Sequence, residues 1–227
     1  MTSAPALLDT VELETAANPT HAVIWMHGLG ADGNDFAPIV PHLSWPGAPA
    51  IRFVFPHAQV RPVTINGGMP MRAWYDIFQM AAGVREDHAG IHQSAGQIEA
   101  LIAREHARGI PSANIVLAGF SQGCAMTLHT GLRYPETLAG LIALSGYLPL
   151  ADTLAEERSA ANQQTPIFMA HGTQDPIVIP ARAETSRRIL DSLGYQIEWR
   201  TYPMPHSVCP QEIADIAVFL KTVLSAQ

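Results

Sequence analysis

The chain is short of cysteine, of lysine and of long apolar runs, and each shortage removes a class of protein from consideration. Two cysteines, Cys124 and Cys209, cannot build the disulfide framework of a small secreted domain. A single lysine, Lys221, and arginines scattered without clustering leave no basic stripe, so no nucleic-acid partner is expected. No Lys or Arg precedes Arg52, while Asp9, Glu12 and Glu14 lie where an export signal needs a basic and then an apolar segment. The longest charge-free apolar stretch, residues 138–151, is broken by Gly140, Gly146 and Pro149. It falls short of the roughly 18 residues of a membrane span, so stable membrane insertion is not expected. Charged residues are 15% of the chain and hydrophobic residues 48%, which excludes disorder and supplies one extended core. The net charge of −7 bears on solubility more than on partners. These features predict a cytoplasmic chain folded as a single domain over 1–227. They leave the oligomeric state open, a weak homodimer included.

What is present alternates. Short apolar runs at 22–26 (AVIWM), 51–55 (IRFVF), 115–118 (IVLA), 141–144 (LIAL) and 166–170 (PIFMA) have the character of strands buried on both faces. Residues 196–202 (QIEWRTY) and 10–15 (TVELET) read as half-exposed edge strands. Helical spacing runs from Ile91 to Ala107, and again over 122–133, 181–193 and 211–224. Strands alternating with helices predict a mostly parallel sheet covered by helices on both faces. A further helix is expected near Asp35. Residues 57–72 are too rich in Pro and Gly for a regular element and read as a functional loop.

Gly119-Phe120-Ser121-Gln122-Gly123 has the G-x-S-x-G form, following a strand and opening a helix. A serine hydroxyl needs a base, and three histidines follow it: His129, His171 and His206. No Asp or Glu lies between Ser121 and His129. His171 ends a strand, where a structural role fits better. His206 sits in a Pro-rich loop between the last strand and the last helix, free to reach the serine. For the orienting acid, Asp175 follows the strand PIFMA and precedes Pro176. Asp191 falls inside a helical pattern and Asp152 follows the preceding strand, so Asp175 is preferred. An oxyanion hole needs two backbone N–H groups, predicted at Gln122 and at Leu29 in the loop His27-Gly28-Leu29-Gly30. His27 is read as structural.

The motifs HGLGADGNDF, RPVTINGGM, AWYDI, GFSQG, LSGYLPL, HGTQDPIV and YPMPH together resemble the carboxylesterase and acyl-protein thioesterase family, also called the phospholipase/carboxylesterase family. The likeness runs from about His21 to the C-terminus and looks nearest to its bacterial carboxylesterase branch. It implies an α/β-hydrolase without a large lid, with Ser121, Asp175 and His206 on the family's triad and Leu29 and Gln122 on its oxyanion donors. Met69, Trp74, Tyr147 and Ile177 fall in segments that flank the family's acyl pocket, with core packing an equal alternative for each. Two positions depart from the family pattern: Cys124, where a glycine is usual, and Pro205, ahead of the histidine.

The expected reaction is hydrolysis of short- to medium-chain carboxylic esters through an acyl-enzyme. The alternative is a thioesterase or lysophospholipase acting on long-chain acyl groups. A ligand-binding module of the same fold should have lost a triad residue, and none is lost here. Ten histidines without an H-E-x-x-H motif imply no metal, and no cofactor motif appears. Both cysteines are read as buried and inert.

Overall fold

The computed structural model describes residues 7–79 and 85–225. Its elements in chain order are β1 (Thr10–Glu14), β2 (His21–Met26), β3 (Ile51–Pro56), β4 (Val60–Val63) and β5 (Met69–Arg72). There follow α1 (His88–Ala107), β6 (Ile115–Phe120), α2 (Gln122–Arg133), β7 (Gly140–Leu144) and α3 (Leu154–Glu157). The last four are β8 (Ile167–Gly172), α4 (Pro180–Ser192), β9 (Ile197–Tyr202) and α5 (Pro210–Leu224). Seven strands make one sheet in the order β1-β3-β2-β6-β7-β8-β9. Only β1 runs antiparallel to its neighbour; every other pairing is parallel.

The two-residue period of a strand divides each apolar run between two cores. On β2, Ala22, Ile24 and Met26 join one cluster and Val23 and Trp25 the other. On β8, Ile167 and Met169 face the first, Phe168 and Ala170 the second. The first face is covered by α1, α2 and α4, the second by α5 and a 3-10 segment, Ala37–Leu43. Both faces are therefore dry, which is why these strands carry almost no polar residue. The fold is that of an α/β-hydrolase. Among the described residues, no helix is long and apolar enough to cross a membrane.

Two segments differ from expectation. The helix anticipated near Asp35 is the 3-10 segment Ala37–Leu43, because Pro41 lies inside it and Pro38 at its start. An interior proline removes a donor and crowds the carbonyl four residues back, so an α-helix cannot form there. Residues 57–72, read as an irregular loop, instead contain the antiparallel pair β4–β5, registered from Val60↔Arg72 to Val63↔Met69. Pro62 lies opposite Pro70. Facing prolines fit a ladder at a non-hydrogen-bonded pair, where neither nitrogen is asked to donate. The composition suggested a breaker; the register makes it harmless.

A buried charge cluster ties α1 to the sheet edge. Glu105, fully buried on α1, accepts from Arg52 Nη1 at 2.6 Å and from Arg108 Nη1 at 3.0 Å. Arg52, on β3, also donates to Glu14 Oε1 on β1 at 2.8 Å. Removing one member of such a pair strands the other in low dielectric. Glu105→Ala is therefore expected to lower unfolding free energy by about 3 kcal/mol, the lower end for a broken buried pair because Glu14 still faces Arg52. Urea denaturation at neutral pH, followed by circular dichroism, measures the loss.

Candidate active site

β6 ends at Phe120 and α2 begins at Gln122, so the entire strand-to-helix reversal happens at Ser121. Its backbone sits at φ 56°, ψ −114°, a left-handed conformation that a non-glycine residue adopts only under constraint. The constraint is visible on both sides. A β-carbon at Gly119 would collide with the carbonyl of Gly123, and one at Gly123 with the carbonyl of Met26. Only glycines let α2 rest this closely on β6 and β2. Ser121 N–H donates to Leu144 O at 2.9 Å, anchoring the turn to β7.

The loop after β8 presents Asp175, whose side chain is fully buried. Its Oδ1 accepts from the amides of Ile177 and Val178 at 2.8 and 3.0 Å. Its Oδ2 accepts from His206 Nδ1 at 2.6 Å, and His206 Nε2 lies 2.9 Å from Ser121 Oγ. With Nδ1–H committed to the carboxylate, Nε2 is the acceptor and the serine hydroxyl the donor. The two loops that bring Asp175 and His206 together are stitched to one another: Thr173 N–H donates to Tyr202 O and Gln174 N–H to Met204 O. Pro205 is accommodated in this arrangement, its carbonyl accepting from Ser207 N–H. Phe120 packs against the imidazole, with ring centroids 4.8 Å apart.

The other candidates fall elsewhere. His171 donates to Val178 O at 2.7 Å, and burial lowers its pKa, so its 3.4 Å approach to Asp175 is a contact of a neutral ring rather than an ion pair. His129 is buried beside His92, and burial takes its pKa down to about 3. Asp191 pairs with Arg187 on the surface of α4, while Asp152 lines a separate hollow. Cys124 is buried and its thiol pKa pushed up by desolvation, whereas Cys209 is only half-buried, a partial correction to the expectation for both. They belong to cores on opposite faces of the sheet.

Leu29 and Gln122 both line a cavity of about 250 Å3 over Ser121. The Gln122 amide is among the first N–H groups of α2, which have no acceptor within the helix. The Leu29 loop is held from behind. His27 donates from Nδ1 to Gly28 O at 2.7 Å and accepts at Nε2 from Ala58 N–H at 3.1 Å. Trp74 Nε1 donates to His27 O at 2.9 Å, and Trp74 N–H donates to Gln122 Oε1 at 2.8 Å. Gln122 Nε2 in turn donates to Tyr75 O at 2.7 Å. Trp74 thus links the two segments that carry the candidate oxyanion donors, through its indole on one side and its backbone N–H on the other.

Of the four residues expected at the acyl pocket, Tyr147 and Ile177 line the cavity. Trp74 does not: it is fully buried and packs against His27. Met69 is likewise displaced, 61% exposed on the β4–β5 hairpin, because its place in the ladder turns it outward. Tyr75 lines the cavity as well, and sequence reasoning missed Ile77, Phe120, Val178 and Arg182, which also line it. Ile77, Phe120 and Val178 stood inside the quoted motifs and could have been found by adjacency. Arg182, on α4, carried no signal.

A strand-turn-helix serine, a histidine bonded to it, a buried carboxylate behind and an apolar cavity in front define a class, the serine hydrolases of the α/β-hydrolase fold. Within that class the chain belongs to the phospholipase/carboxylesterase family, whose model matches residues 10–224. It is 43% identical over 215 residues to acyl-protein thioesterase 1 of Neurospora crassa, covering 90% of this chain and 87% of the relative. To acyl-protein thioesterase 1 of Mycosarcoma maydis it is 39% identical over 232 residues, covering 94% and 95%. The crystal structure of Zea mays acyl-protein thioesterase 2 superposes with a TM-score of 0.84 at 27% identity, covering 95% of this chain and 99% of that one.

His27 has a pH consequence. Burial lowers its pKa from 6.5 to about 4, so it is neutral in the fold and free to protonate once unfolded. The unfolded chain gains protons below its own pKa while the fold resists them, so stability is full above about 6.5 and is lost as pH falls toward 4. Going from pH 7 to pH 5 should cost roughly 2 kcal/mol through this group alone. His27→Gln keeps an acceptor for Ala58 N–H without titrating, and should flatten that part of the stability–pH curve in urea titrations.

Proposed function

We propose that this chain hydrolyses acyl thioesters, acyl-protein thioesters foremost, and cleaves carboxylic esters with the same residues. The observation that carries the reading is His206, hydrogen-bonded at once to Ser121 and Asp175 at the mouth of an apolar cavity. The thioester emphasis is supported by the names of the relatives, acyl-protein thioesterase 1, at 39% and 43% identity. A short- to medium-chain esterase is the second reading, favoured by the modest 250 Å3 of the cavity.

In the proposed reaction His206 Nε2 takes the Ser121 proton as Oγ attacks the acyl carbon. Asp175 holds the imidazole in the Nδ1–H tautomer and stabilises the imidazolium. The N–H groups of Leu29 and Gln122 receive the developing oxyanion, where the N-terminus of α2 also favours negative charge. His206 then returns the proton to the leaving sulfur or oxygen, and water repeats the sequence on the acyl-enzyme. A thiol leaves more readily than an alcohol because its pKa lies lower, near ~8.5. The thioester therefore asks less of His206 as an acid.

Two experiments separate these statements. Ser121→Ala should lower turnover by several orders of magnitude and Asp175→Asn by roughly 10⁴-fold, with unfolding transitions unchanged; full activity in a folded Ser121→Ala protein rejects the mechanism. The substrate reading is decided by comparing a peptide acylated on cysteine with its serine-ester counterpart. A higher kcat/KM for the thioester is expected. Cleavage of small activated esters without either peptide establishes the esterase reading in its place.

A further inference from the structure

The residue that closes the cavity over Ser121 also closes a second one. Tyr147 and Arg182 line the 250 Å3 cavity, and both also line a hollow of about 410 Å3 on the far side, toward Leu148, Asp152 and Ile189. The Tyr147 ring is clamped from two directions. Its hydroxyl is 2.8 Å from that of Tyr75, and the Arg182 guanidinium carbon lies 3.3 Å over the ring centroid. The two hydroxyls share one hydrogen bond, which fixes the Tyr147 ring against Tyr75.

The backbone that carries Tyr147 is strained and held from every side. Ser145 and Leu150 both have positive φ, 48° and 46°, and both are buried. A bulky residue such as leucine in that region is an outlier that persists only where surroundings over-determine it. They do: Ser145 N–H donates to Ala170 O, Leu148 N–H to Ser186 Oγ and Leu150 N–H to Glu86 Oε2. Gly146 rests directly on the nucleophile turn, leaving no room for a β-carbon beside Cys124 and the carbonyl of Ser121. The strap therefore runs from the serine's own backbone to the shared wall. Its position is fixed relative to the bond that would be cut.

We propose that Tyr147, braced by Tyr75 and Arg182, is the partition that ends the acyl cavity and thereby sets the length of acyl chain the protein handles best. The hollow beyond it is space that a longer chain would occupy if the wall were removed. This inference rests on the proposal that the cavity over Ser121 receives the acyl group. Each methylene buried there should raise kcat/KM about four-fold until the chain meets the wall, after which further methylenes add little.

The test is kcat/KM across p-nitrophenyl esters from acetyl to palmitoyl, kept below their solubility limits, for the native chain, Tyr147→Ala and Arg182→Ala. The readout is the chain length at which the rise breaks, taken within each protein so that a change in overall rate does not move it. The break is expected to shift to longer chains in Tyr147→Ala, and by less in Arg182→Ala, which thins the wall from the helix side without touching the strap. Arg182→Ala keeps the question answerable if Tyr147→Ala does not fold. Ser121-dependent turnover with an unmoved break in every folded variant overturns the partition and leaves the hydrolase reading standing. Absence of Ser121-dependent turnover in the native chain overturns the hydrolase reading and the partition with it.

Discussion

The closeness of α2 to the sheet is the constraint on which the rest of the site depends. Gly119 and Gly123 leave no side chain between β6, β2 and the first turn of α2, and Ser121 is forced into a left-handed backbone between them. That conformation lifts the hydroxyl off the end of the sheet and points the first amides of the helix into the same space. Loosening it would displace the hydroxyl and the Gln122 amide together, since they belong to adjacent residues of one turn. Gly146 extends the same tight packing to the strap that bears Tyr147, so the wall of the cavity is referenced to the same turn.

Around this turn the polar groups are closed upon themselves. Gln122 bonds the backbone of Trp74 and Tyr75, Trp74 bonds the carbonyl of His27, and His27 bonds Gly28 and Ala58. A buried polar group without a partner costs about 1–3 kcal/mol, so a closed set of this kind holds segments distant in sequence to one geometry. His206 stands apart from this set. It is reached by a loop whose backbone is stitched to the loop of Asp175, and its side chain keeps 16% exposure at the cavity mouth. The imidazole is thereby near solvent, while the carboxylate it bonds is buried.

The family and the geometry bear on different questions. Membership of the phospholipase/carboxylesterase family fixes the kind of bond that is broken, an acyl ester or thioester. The shape of the cavity bears on which acyl group enters. The strained strap at residues 145–150 is a feature of the second kind: it places one aromatic ring between two hollows.

Much of this was legible in the sequence. The alternation of doubly buried strands with helices gave the sheet and its covering layers, because backbone period and burial are local properties written directly into the apolar pattern. G-x-S-x-G after a strand located the turn, and chain order singled out Asp175 and His206 for the positions where the structure brings them into contact. Composition misled at 57–72 and near Asp35, where the meaning of a proline depends on register or on its place in a turn rather than on its presence. The placing of Trp74 behind the loop, of Met69 outside the cavity, and of Tyr147 against Tyr75 and Arg182 could only come from the tertiary structure. Trp74 and Gln122 are 48 residues apart and Tyr75 and Tyr147 are 72 apart, and no local period records which side chains meet across such distances. A sequence states which face of each element is apolar; the packing of one element on another decides which residues on those faces touch.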